Sequence, residues 1–243
     1  MSDPNQTLAQ MIRYFEEERH EMVEVMASEF TSMLLANKQR DGATQTLLVK
    51  GVRILAEVLS IRGKSKLAIQ ATSVLLRERK KLEKGLSQTA PTLLSKLTPI
   101  EQDYRTIGSV FAKAGKTSKA KKFYLKAHKE TQGNIAALVA ACQVDGAKTK
   151  LCKTLAIAVQ SAGPVILENG AYHLKPEHAP GSQIDPVLAI LETCSHEHTE
   201  CAEQAQRIRK ECDEIANGIQ AANERLQSAM DSLQPKHDYY QYS

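Results

Sequence analysis

Apolar residues return at three- and four-residue steps through almost the whole chain, and that period admits helices and little else. In the first segment Leu8, Met11, Ile12, Phe15, Met22, Met26, Phe30 and Met33 share one face, with Glu16, Glu17, Glu18, Glu21 and Glu24 outside it. One acidic amphipathic helix from about Gln6 to Ala36 follows, stopped by Asn37 and Gly42. Its Met-rich stripe suits ordinary core or an adaptable docking face. Further on, Val52, Leu55, Leu59 and then Leu67, Ala71, Leu75 keep the helical spacing. Gly42, Gly51, Gly63, Gly85, Gly108, Gly115, Gly133 and Gly146, with Pro91 and Pro99, cut residues 38–162 into short helices. Helix pairs joined by tight turns are the simplest arrangement for such a stretch.

Residues 99–134 carry more than a period. Pro99 fits a first helical turn behind Thr98 as N-cap. Tyr104, Ile107, Gly108 and Phe111 then occupy the positions of W-x2-L-G-x2-Y, and Ala120 and Tyr124 those of A-x3-F, with Ala127 on the same face. On these residues the stretch resembles a single tetratricopeptide repeat, over about 34 residues of the chain. The pattern's closing Pro is replaced by Gln132. The resemblance implies an antiparallel helix pair turning at Gly115, with Gly108 facing Ala120 across it. One repeat cannot bury its own apolar face, so an irregular stack of hairpins is expected rather than a regular array.

Two further stretches differ from this middle. In 164–175, Asn169-Gly170 is the preferred type I′ turn between two short β-prone runs. Val165, Leu167, Tyr172 and Leu174 then share one face, offered to helices of the same chain or to a partner. From Pro186 to Leu233 a heptad runs without a break: Leu191, His198, Ala205, Cys212, Ile219, Leu226 and Leu233 form one set, and Val187, Cys194, Cys201, Ile208, Ile215, Ala222 and Ala229 the other. A coiled-coil helix is the economical reading, with Leu191, Ile208, Ile215, Ile219 and Leu226 as its assembly residues. The expected fold is all-α: an irregular stack of helical hairpins with one β-hairpin and long N- and C-terminal helices. Its segments are 1–37, the basic 38–162, the hairpin and linker of 163–183, the heptad helix of 184–234 and a flexible tail of 235–243.

Charge divides the chain more sharply than hydropathy does. The net +4 is made of −5 over residues 1–37, +16 over 38–162 and −7 over 163–243. A basic block between acidic flanks steers anionic partners, unless the acidic ends of the chain simply neutralise it. The densest positions are Arg77, Arg79, Lys80, Lys81 and Lys84, and then Lys116, Lys119, Lys122, Lys126 and Lys129, of which the last four form one helical stripe. Lysine acts as a point charge, which favours anionic surfaces over base reading, so nucleic acid ranks behind an acidic protein or a membrane surface. With no apolar run of membrane length, no export signal and five cysteines, the expectation is a cytoplasmic chain without a disulfide framework.

Catalytic chemistry finds little support. Cys194, His198 and Cys201 share a face and suit zinc, yet that face is the heptad seam, where Cys is a small hydrophobe, and a fourth ligand is missing. Gly63-Lys64-Ser65 and Gly115-Lys116-Thr117 mimic the end of a phosphate loop, but Val58 and Val110 stand where it needs its first Gly. The expectation is therefore a non-enzymatic adaptor or scaffold without cofactor or metal. It assembles through its C-terminal helix, with itself or another protein, and meets an acidic partner through its basic middle. A BAR-like membrane-binding dimer that recognises anionic lipid is the alternative reading.

Overall fold

In the computed structural model, helices form over most of the spans that the apolar spacing marks, and three of the described helix-to-helix turns share one backbone cause. The structure describes residues 3–86, 99–130, 135–146, 149–174 and 182–233. The chain divides into two units, Met1–Leu151 and Cys152–Ser243. The division falls at Leu151, inside the expected segment 38–162. The linker residues 175–181 and the tail 235–243 lie outside the described residues.

The first unit is helical: α1 (Pro4–Glu16), α2 (His20–Ala36), α3 (Gly42–Ile61), α4 (Ser65–Leu86), α5 (Ile100–Lys113), α6 (Thr117–Glu130) and α7 (Ile135–Val144). Each packs on its neighbour in the run α1 to α4 and again in the run α5 to α7. The helix α5 also packs on α3 and α4, which joins the two runs. Asp3 caps α1 by accepting from the Asn5 N–H at 3.0 Å, and Asp41 caps α3 by accepting from the Thr44 N–H at 2.7 Å.

The N-terminal segment is two helices, not one. Between Phe15 and Met22 no apolar residue continues the stripe, and Glu18 takes a left-handed φ of 57°. The N–H of Arg19 returns to the Tyr14 carbonyl at 2.9 Å, and that of Glu18 to Phe15 at 3.1 Å. The same double closure ends α3, where Lys64 and Gly63 donate to Leu59 and Ser60, and α5, where Lys116 and Gly115 donate to Phe111 and Ala112. Gly63 and Gly115 supply positive φ at no cost in side-chain clash. The two phosphate-loop look-alikes are therefore matching helix-to-helix turns.

Glycine also sets two helix crossings. A Cβ on Gly51 would come within 2.8 Å of the Phe30 ring, and one on Gly108 within 2.7 Å of the Tyr124 ring. Gly108 thus meets Tyr124 rather than the expected Ala120, although Ala120 is fully buried one turn away. Met11, Leu48, Leu75, Leu82, Ile107 and Leu138 are among the largest buried side chains of the unit.

In the second unit α8 (Thr149–Gln160), whose first turn carries the division, leads into β1 (Val165–Glu168), β2 (Ala171–Leu174) and β3 (Ser182–Gln183), then α9 (Ile184–Cys194) and α10 (Thr199–Leu233). The strands β1 and β2 pair antiparallel with Val165 opposite Leu174 and Leu167 opposite Tyr172. Asn169 and Gly170, with φ of 50° and 77°, make the turn. A short third strand, not anticipated, pairs Gln183 with His173. The expected single heptad helix breaks at 195–198, where the apolar seam has its one exception, His198. Cys152 and Cys194 form a disulfide with Cα atoms 6.4 Å apart. The sequence reading expected no disulfide framework, and this single bond departs from it; Cys142, Cys201 and Cys212 take no part in a disulfide. The fold is all-α apart from this small sheet.

Candidate binding surface

The two basic runs behave differently once folded. On α6, the helical period that buries Ala120, Tyr124 and Ala127 leaves Lys119, Lys122, Lys126 and Lys129 exposed, with Lys116 exposed in the turn before them. Beneath them lies a row of rings. Phe123 stacks on Phe111 at 5.7 Å and meets Tyr104 at 6.1 Å. The Lys119 ammonium stands 5.5 Å over Phe111, and that of Lys126 stands 5.3 Å over Tyr104 and 5.4 Å over Phe123. Aromatic faces hold these ammonium groups in place without neutralising them. Lys121, off the stripe, is paired with Asp145 at 2.7 Å.

On α4 the charges largely look inward. Arg79, expected to meet an anionic partner, is buried; its guanidinium bonds Asp103 at 3.1 Å and Glu83 at 3.0 Å. The correction has a simple cause: position 79 is four residues after Leu75 and three before Leu82, so it stands on the core face. Arg77 and Lys81 are exposed at their stems but both hold the fully buried Glu78, at 2.8 and 3.0 Å. Gln45 donates to Glu78 at 3.2 Å, and so does Arg40, which also caps the end of α2 through the carbonyls of Leu34, Leu35 and Asn37. Burial opposes the Glu78 charge, but the hydrogen bonds from Arg77, Lys81 and Gln45 outweigh it and hold the carboxyl at about 2. Burial wins at Asp103, which is pushed up to about 6 in spite of Arg53 and Arg79. Lys80 and Lys84 are exposed as well.

A polar cleft of about 550 Å³, absent from the sequence reading, opens where α3, α5, α6 and α7 meet. Arg53 and Arg105 line it, with Gln102 bonded to Arg53 at 2.6 Å and Thr106 donating to Glu57 at 2.6 Å. Tyr124 backs it, its hydroxyl raised by burial and hydrogen-bonded to Ser109. The available signal was Arg53 and Arg105 standing on apolar-flanked helices away from the lysine-rich runs.

In the second unit the expected hairpin face is only half available. Val165 and Leu174 are buried, the Val165 N–H donates to Glu211 at 2.9 Å, and the Tyr172 hydroxyl reaches the Cys212 carbonyl at 3.5 Å. Leu167 remains exposed at the tip and Tyr172 half-buried. Of the expected assembly residues, Leu191 and Ile208 are spent in the unit's own core, Ile215 is half-buried, and Ile219 and Leu226 are exposed. Cys194 is committed to its disulfide, and among the described residues no group of three ligating side chains is placed to hold a metal ion. No helix of the described residues is long and apolar enough to cross a membrane.

No family model matches the chain, and no curated protein matches it. Among solved structures it is similar to the crystal structure of BtubC (BKLC) from P. vanneervenii, with a TM-score of 0.50 and 14% identity over 95% of this chain and 82% of that one. This likeness is one of fold.

Proposed function

We propose that the protein is a non-enzymatic helical adaptor that holds an acidic protein segment against α5 and α6 and assembles through its C-terminal helix. The observation that carries the reading is the row of exposed lysines on α6, two of them stationed over the aromatic faces of Phe111, Phe123 and Tyr104. Charges held in register on a rigid helix pair lose little entropy when an acidic chain docks. Rings below them add an apolar floor for the partner's side chains. The resemblance of residues 101–134 to a tetratricopeptide repeat supports the same reading, since that packing is a platform of helix pairs.

Reversal of Lys119, Lys122 and Lys126 to Glu tests it on the whole chain. These positions are exposed, so the helical circular dichroism should survive while binding of a poly-glutamate peptide falls at least tenfold. Wild-type binding should also weaken with salt, as the screening length shortens from about 10 Å at 0.1 M to about 3 Å at 1 M. Vesicles with and without phosphatidylserine form the second arm. Binding to these alone, lost in the reversal, would turn the reading towards the anionic-lipid alternative.

A further inference from the structure

The long helix α10 changes character along its length. Up to Ile208 its apolar side is buried in the second unit, through Cys201, Ala205 and Ile208. From Asp213 to Ser232 every side chain is exposed except the half-buried Ile215. The apolar period does not stop where the burial does. Ile219, Leu226 and Met230 stand 42%, 61% and 55% exposed, with Ala222 and Ala229 between them on the same stripe. Twenty residues of free helix make a marginal structure in water, and a stripe of this kind is normally covered.

We infer that a second copy of this chain covers it, the two α10 segments lying antiparallel. The inference rests on the proposed assembly through the C-terminal helix and adds its partner, its residues and its direction. Two observations select this occupant. The exposed stripe is the in-register continuation of a seam the unit already buries, so one heptad serves the core and then the interface. Its carboxylates lie on the far side: Asp213, Glu214, Glu224 and Asp231 avoid the stripe, while the positions flanking it are Ala216, Gly218, Asn223, the cation Arg225, Met230 and Ser232. Two identical acidic helices therefore meet without carboxylates facing each other.

Side-chain size sets the direction. In a parallel pair Ile219 and Leu226 would meet their own copies, and Ala222 and Ala229 theirs, giving layers alternately thick and thin. Antiparallel, large meets small: Ile219 faces Ala229 of the second copy and Leu226 faces its Ala222, so the helices keep one separation along the contact. Opposed helix dipoles favour the same direction. The contact spans roughly 30 Å of helix and is rich in alanine, so a micromolar dimer is expected.

Sedimentation equilibrium of the full chain tests the face, and spin-label distances test the direction. Wild type should be a dimer that Ile219→Glu with Leu226→Glu weakens at least tenfold, with helix content retained. In a Cys212→Ser background, Glu224→Cys labels should lie closer together than Asp231→Cys labels by ~10 Å or more, because residue 224 sits at the centre of an antiparallel contact. A dimer indifferent to the double substitution overturns this face but leaves assembly elsewhere. A dimer lost in the double substitution but with equal distances at both labels overturns the direction alone. A monomer at millimolar concentration overturns both the inference and the assembly reading beneath it.

Discussion

Glu78 on α4 and Asp103 on α5 are both buried carboxylates among cations, yet burial loses at the first and wins at the second. Charge count is one part of this: three cations, Arg40, Arg77 and Lys81, hold Glu78, while Asp103 has two arginines within 3.5 Å and Glu83 nearby. The rest lies in depth, since Glu78 sits nearer to solvent than Asp103 and loses less hydration, and in which lone pairs are used and by whom. Both Glu78 oxygens accept hydrogen bonds, from Arg40, Gln45, Arg77 and Lys81. At Asp103 only Oδ2 is engaged, by Arg79. Oδ1 accepts no hydrogen bond among the described residues, and Glu83 competes for Arg79 while adding a negative charge. A buried carboxylate stays charged when its acceptors are filled, not merely when cations are near.

The largest test is Glu78→Gln. The amide keeps the shape but turns one acceptor into a donor aimed at two or three donors, depending on which oxygen it replaces, and leaves the buried side of Arg40 uncompensated. Because Arg77 and Lys81 reach in from solvent, the expected loss at pH 7 is tempered to about 2–3 kcal/mol, read from urea unfolding. A loss below about 1 kcal/mol would remove the contrast between the two sites.

The second test is the pH profile. The native Asp103 carboxyl, at about 6, lies above its unfolded value, so its ionisation costs stability that is recovered as pH falls through 6. The native Glu78 carboxyl, at about 2, lies below its unfolded value. Its contribution is complete above about 4.5 and is lost as pH falls towards 2. Wild-type stability should therefore rise from pH 7 to about 5 and fall below 4.5. Asp103→Asn should abolish the rise and change stability at pH 7 by no more than about 1 kcal/mol, because Glu83 still holds Arg79.

Much of this was legible in the residues. Asp103 is four before Ile107 and Arg79 four after Leu75, so two opposite charges stood on core positions of two helices. Read as places in the apolar period rather than as members of a basic run, they announce two buried charges. The break between α1 and α2 was legible too, in the gap from Phe15 to Met22, as was the break before α10, in the polar run around His198. Exposure of the α6 lysines followed from the period that buries Ala120 and Tyr124. What the residues did not contain was pairing across distance: that Gln45 and Arg40 reach Glu78, that Arg53 and Arg105 share a cleft, or that Cys152 comes beside Cys194. Each depends on how helices cross, and a period along one helix carries no information on its neighbour's register.

The smallest effect separates field from hydrogen bond. Arg53 stands 3.5 Å from Asp103 Oδ1 without bonding it, and instead donates to Gln102 at 2.6 Å. It is also the side chain shared between the buried pair and the cleft. Arg53→Met keeps most of the packing and removes the charge, so the unfolding free energy should change by less than about 1 kcal/mol. The Asp103 carboxyl should nonetheless titrate above its wild-type midpoint near 6, followed by carbon-13 resonances of its side chain. Arg79→Met should raise it further, since that variant loses a hydrogen bond as well as a charge. Equal midpoints in wild type and Arg53→Met would mean that solvent reaching the cleft screens the arginine completely. Desolvation and Arg79 alone would then set the titration of Asp103, and Arg53 would belong to the cleft rather than to the buried pair.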